Sequence, residues 1–115
     1  KTGTLFRFAC AGGAALGRAA PAERAALVAY ASAFGQAFQL ADDLLDAEGD
    51  AASLGKAVAK DAGRGKATLV ARLGADDARK QLGALLHDAE AALSPFGDRA
   101  EILRELARFI ATRKT

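Results

Sequence analysis

Phe38-Gln39-Leu40-Ala41-Asp42-Asp43-Leu44-Leu45-Asp46 sets three carboxylates and an amide into an otherwise apolar run. A helix turns about 100° per residue, so Gln39, Asp42 and Asp46 share one face and Asp43 lies beside it. Phe38, Leu40, Leu44 and Leu45 mark the rest of the segment as buried. Three neighbouring anions repel one another, and a cation among them relieves that repulsion. Hard oxygen ligands at this density suit Mg²⁺, which takes one or two carboxylates and fills its shell with water and phosphate oxygen. Asp42, Asp43 and Asp46 are therefore the candidate metal ligands. The alternative is a solvated acidic helix face ahead of a turn.

The sequence downstream fits the first reading. Glu48-Gly49-Asp50 reads as a helix end, with Gly49 suited to the left-handed position just past it. The stretch Leu54-Gly55-Lys56-Ala57-Val58-Ala59-Lys60-Asp61-Ala62-Gly63-Arg64-Gly65-Lys66-Ala67-Thr68 then brings four cationic side chains and three glycines. Cations beside acids can be plain charge balance, but lysines with metal-bridging carboxylates also hold a diphosphate, whose charge exceeds what one metal ion neutralises. A nucleotide-binding P-loop is excluded. Lys60 stands where its first glycine belongs, and Ala67 replaces the hydroxyl residue after Gly65-Lys66.

Taken in order, these motifs resemble the trans-isoprenyl diphosphate synthases of the polyprenyl synthetase family. Phe38-Gln39 with Asp42-Asp43-Leu44-Leu45-Asp46 is similar to that family's second aspartate-rich motif, and Lys1-Thr2-Gly3 to its upstream Lys-Thr motif. Gly49-Asp50, Gly55-Lys56, Lys60-Asp61 and Gly65-Lys66 follow in the family's order and at its bacterial spacing. The likeness covers essentially the whole chain and is nearest to the bacterial farnesyl diphosphate synthases (geranyltranstransferases). It implies Mg²⁺-dependent (or Mn²⁺-dependent) head-to-tail condensation of isopentenyl diphosphate with an allylic prenyl diphosphate, in a homodimer. The single cysteine and the lack of a visible signal peptide make the cytoplasm the expected location. It also implies roles: Asp42, Asp43 and Asp46 at the metal, Lys1, Lys56 and Lys66 at substrate diphosphate, and Gln39 and Thr2 as dipoles near the developing carbocation. Phe38 would line the wall around the allylic tail.

The family's first aspartate-rich motif has no counterpart here, since Asp76-Asp77-Ala78-Arg79 lies downstream and lacks the later aspartate. The chain has no methionine and begins inside a motif, so the expectation is the C-terminal part of a larger polyprenyl synthetase domain, inactive by itself. Product length is governed in this family mainly by residues just before the absent motif. Farnesyl diphosphate is favoured by overall likeness, with geranylgeranyl diphosphate next. A non-catalytic prenyl-diphosphate-binding subunit, a plain helical interaction module and a terpene cyclase are the other readings. The last normally carries Asn and Ser or Thr among its second-motif ligands, where this chain has aspartates.

Composition is consistent with a water-exposed helical region. Of 115 residues, 51% are hydrophobic and 26% charged, with 16 basic against 14 acidic side chains, which gives no reason to expect nucleic acid as a partner. The one cysteine, Cys10, excludes an internal disulfide, and its alanine and glycine neighbours suggest a small buried thiol. No apolar run is long enough to span a bilayer.

Alanine and leucine dominate and β-branched residues are sparse, so the expectation is all-α, one single region covering residues 1–115 of an isoprenoid-synthase bundle. Helices are expected over about Thr2–Leu16, Pro21–Glu48, Ala67–Leu73, Asp76–Leu93 and Asp98–Thr112, with a long loop from Gly49 to about Gly65. Gly12-Gly13 and Gly35 suggest close approaches by a neighbour. Asp98, with Glu101 three residues on, reads as the cap of the last helix. His87 and Glu90 share a face as exposed polar neighbours, the reverse of a di-iron Glu-x-x-His order. Phe34 and Phe38 form an i, i+4 pair. Arg113-Lys114 either complements the last helix dipole or, by the family likeness, helps cover the isopentenyl diphosphate pocket.

Overall fold

Straight-chain and alanine-rich segments resolve into helices throughout the computed structural model, which describes residues 2–52 and 69–113, with side chains for 3–49 and 70–113. Helix α1 spans Thr2–Leu16 and α2 spans Pro21–Ala52. After the undescribed segment come α3 (Leu69–Leu73), α4 (Ala75–Ala92), a 3₁₀ stretch (Ser94–Ala100) and α5 (Glu101–Thr112). The all-α expectation holds.

α2 is the spine, 32 residues long. Pro21 opens it, and the Glu23 carboxylate accepts the Ala20 backbone N–H at 3.0 Å, satisfying one of the free donors at its start. Its apolar residues Tyr30, Phe34, Ala37, Ala41 and Leu44 run along one side and are all nearly inaccessible. α1 packs on its first half and α4 on its second half, where Ala78, Leu82, Leu86 and Ala89 recur at helical spacing and are buried. α5 closes the far side through Ala107 and Ile110. Tyr30 ties α5 to the spine by donating its hydroxyl to the Leu103 carbonyl at 2.9 Å.

Gly35 is where α1 meets α2 most closely. A Cβ there would lie 2.9 Å from the Gly3 Cα, so two glycines let the backbones touch. At Gly12 and Gly13 a Cβ would meet nothing within 4 Å among the described residues.

Two helix ends differ from expectation. α2 does not stop at Glu48; it continues through Gly49 to Ala52. Ala47, Ala51 and Ala52 favour helix enough to carry a glycine, and the Arg79 guanidinium of α4 holds Glu48 in an ion pair that fastens the final turns. Nor does Asp98 cap the last helix. It lies inside the 3₁₀ stretch, and α5 begins at Glu101 with no side-chain cap. Gly97 (φ 56°) makes the kink, and Arg104 reaches back from α5 to the Gly97 and Leu93 carbonyls at 2.7 and 3.2 Å. At the start of α5 the Glu101 backbone N–H donates to the Asp98 main-chain carbonyl, so the preceding 3₁₀ turn serves that donor through backbone rather than through the Asp98 side chain. The expected loop from Gly49 onward, apart from its helical first residues, lies outside the described residues.

Candidate functional site

The second half of α2 carries the acidic segment at the edge of the core. Leu40, Ala41 and Leu44 are buried, Phe38, Asp42, Asp43 and Leu45 are half-buried, and Gln39 and Asp46 are exposed. The helix therefore presents carboxylates along the boundary between packed interior and solvent. Asp42 and Asp46 stand one turn apart on that boundary. Gln39 does not turn toward them: its Nε2 donates to the Asp43 Oδ1 at 3.3 Å, an i, i+4 pair along the neighbouring ridge.

Asp42 has a different partner, which sequence reading did not assign to it. Arg113, immediately after α5, donates Nη2 to the Asp42 Oδ1. Its guanidinium carbon lies 4.7 Å from the centroid of the Phe38 ring, so the cation rests between a carboxylate and an aromatic face. The Arg113 side chain is only 13% exposed against 43% for Asp42, and its Nε is buried with no hydrogen-bond partner among the described residues. The signal that could have found this pairing is chain length: α5 runs antiparallel to α4 and returns its end toward Asp42. Neither earlier reading of the Arg113-Lys114 tail, dipole or pocket cover, named this contact.

The aromatic wall is larger than the Phe34–Phe38 pair. Phe6 of α1 meets Phe34 edge-on at 4.9 Å and Phe38 at 5.5 Å, while Tyr30 and Phe34 stack at 5.6 Å and Phe34 and Phe38 at 6.4 Å. Such contacts add to the burial of the rings themselves. Next to the carboxylates, a cleft of about 100 Å³ opens between α2, α4 and α5, lined by Leu44, Glu48, Arg79, Leu82, Ile110 and Arg113 among others. Burial pushes the half-buried Cys10 thiol up, away from the reactive thiolate, in keeping with a packing role. His87 is exposed, and Glu90 instead joins Arg108 at 2.7 Å, with Arg108 also reaching Glu101 at 3.0 Å.

Among the described residues, no three His, Cys, Asp or Glu side chains close around a point as a finished metal cage. The donor set still fits Mg²⁺: two hard carboxylates one turn apart at a solvent-facing edge match an ion that keeps waters and takes phosphate oxygens. Lys1, Lys56, Asp61 and Lys66 lie outside the described residues, as does the side chain of Thr2. Among the described residues, no helix is long and apolar enough to cross a membrane.

Known proteins share this sequence and fold. Residues 1–99 match the polyprenyl synthetase family model. The farnesyl diphosphate synthase of Escherichia coli K12 is 40% identical over 98% of this chain and 39% of its own length. A geranylgeranyl diphosphate synthase from Pseudescherichia vulneris is 46% identical over 82% of this chain and 29% of its own length. The apo crystal structure of an FPP/GFPP synthase from Zymomonas mobilis superposes with a TM-score of 0.80 at 46% identity, covering 96% of this chain and 34% of that one. The chain thus spans about a third of the length of such relatives. With the family model matched over most of its residues and a solved relative sharing its helices, this chain belongs to the polyprenyl synthetase family.

Proposed function

We propose that this chain is the C-terminal part of a short-chain isoprenyl diphosphate synthase that joins isopentenyl diphosphate to an allylic prenyl diphosphate, with farnesyl diphosphate as product. The observation that carries this reading is the alignment of Asp42 and Asp46 at the solvent edge of α2, one turn beyond the Phe38 wall. Membership of the family supports it, as do relatives named farnesyl diphosphate synthase at about 40% identity. The relatives named geranylgeranyl diphosphate synthase make the longer product the second reading.

The chemistry divides between charge and shape. Breaking the allylic carbon–oxygen bond puts negative charge on the leaving diphosphate and positive charge on the prenyl carbon. Mg²⁺, when bound, supplies Lewis-acid stabilisation of that leaving group. Asp42 and Asp46 would hold the ion, and Asp43, hydrogen-bonded by Gln39, would support the site. Lys1, Lys56 and Lys66 add fixed positive charge toward the diphosphates, worth most where water is excluded. Gln39 and Thr2 present oxygen dipoles that steady a cation without readily trapping it. The apolar faces of Phe38 and its neighbours exclude water from the prenyl chain. The isopentenyl double bond attacks the cationic carbon, a new carbon–carbon bond forms, and a proton leaves to the released diphosphate. The family expectation of a homodimer, and the expected cytoplasmic location, belong to this same reading.

The test is turnover by the full-length protein with isopentenyl and geranyl diphosphates, with the product identified by chain length. A C15 product supports the reading in full, and a C20 product replaces its finer part. Asp42→Ala is expected to lower turnover by about a thousandfold or more, the scale of losing a preorganised charge at the reacting centre. Near-normal activity of that variant would sink the assignment.

A further inference from the structure

We propose that Arg113 is a tethered cation that occupies Asp42 in the metal-free protein and competes with a divalent ion for that carboxylate. The inference rests on the reading of Asp42 as a metal ligand and adds a device that controls its loading.

The geometry suits a removable stopper. Arg113 Nη2 takes the Asp42 Oδ1, an oxygen a metal ion would need. The guanidinium gains from the carboxylate and from the Phe38 face, which together offset removing a mostly buried cation from water. Among the described residues Nε is buried without an acceptor, so the seat within them compensates only part of its lost hydration. The seat is therefore occupied but not optimal. Release is local as well. α5 ends at Thr112, and Arg113 is already in extended conformation (φ −65°, ψ 151°), with its backbone N–H held by the Phe109 carbonyl at 2.9 Å. Rotating the side chain alone clears the carboxylate without unwinding the helix. Among the described residues neither of the other two aspartates pairs with this guanidinium: Asp43 is engaged by Gln39, and Asp46 is exposed without an ion pair. The competition accordingly centres on Asp42. While the arm is seated, the positive charge relieves repulsion within the acidic segment, and Arg113 forms part of the cleft lining.

The experiment is Mn²⁺ binding to the full-length protein without substrate, read from loss of the free-ion electron paramagnetic resonance signal. Arg113→Gln is expected to tighten Mn²⁺ binding by about fivefold, the scale of removing one competing ion pair. Arg113→Lys, which keeps a charge but loses the planar stack on Phe38, should fall between Arg113→Gln and wild type. Unchanged or weaker binding in Arg113→Gln overturns the proposal. Asp42→Asn separates the two levels of the argument. If it weakens Mn²⁺ binding while Arg113→Gln fails to tighten it, the competition is wrong and the ligand assignment survives. If Asp42→Asn leaves binding unchanged, the ligand reading fails and the inference fails with it.

Discussion

The two halves of α2 are one continuous helix with opposite designs. From Tyr30 to Phe38, the packed face meets α1 through rings and a glycine contact, with backbones close enough that a single methyl group would collide. From Gln39 to Glu48, the same helix keeps its buried leucines but lines its edge with acids, answered by the long side chains of Arg79 and Arg113. The first half has partners fixed by shape. The second has partners fixed by charge on flexible stems, which on the proposed reading a ligand replaces without disturbing the core. A rigid wall thus holds an exchangeable edge in place, the combination a site needs if its carboxylates are to change partners.

The strongest challenge to the rigid half is Gly35→Ala. Helix propensity alone would make this change stabilising by about 1 kcal/mol. The new Cβ would, however, lie 2.9 Å from the Gly3 Cα, a backbone atom that cannot rotate aside. Overpacking should prevail, giving a net loss of about 1–2 kcal/mol in denaturant unfolding of the full-length protein. A gain in stability would show that α1 does not sit against α2 at this point.

A smaller effect is expected at Tyr30, where the rigid half reaches α5. Burial, helped by negative charge at Cys10, raises its phenol from 10.0 to about 12. The unfolded phenol gives up its proton first, so between these values the native state holds more protons and stability falls as pH rises. Below about pH 10 the contribution of the protonated hydroxyl to Leu103 is fully present; it is lost on the way to about 12. Tyr30→Phe should cost about 1 kcal/mol at neutral pH and remove this alkaline decline. An unaltered pH profile in the variant would place the decline elsewhere.

Much of this architecture was legible from local pattern. The starts of α1 and α2 followed from Pro21 and the helix-forming residues, and Gly35 announced a close neighbour because a glycine inside a long helix is costly without one. The acidic segment was legible because carboxylates amid leucines conflict with burial unless they serve something. What stayed hidden depends on distant partners. Phe6 became part of the aromatic wall only once α1 lay on α2, and Arg113 met Asp42 across 71 positions of sequence. Asp98 misled because a capping pattern is satisfied equally well by turns that carry their own hydrogen bonds.

Gly49→Ala offers the smallest change and bears directly on where the exchangeable half ends. A glycine in the left-handed position past a helix would make alanine unfavourable, because its Cβ clashes there. In the structure the helix instead passes through Gly49, which is not among the glycines with positive φ, and a Cβ there would meet nothing within 4 Å among the described residues. Alanine should then stabilise by about 0.5–1 kcal/mol, since helical backbone entropy is lost more cheaply than with glycine. A loss of similar size would return the helix end to Glu48. That outcome would also remove the reason for the Arg79–Glu48 pair to act as an anchor for the turns beyond, because there would be no helix left for it to fasten.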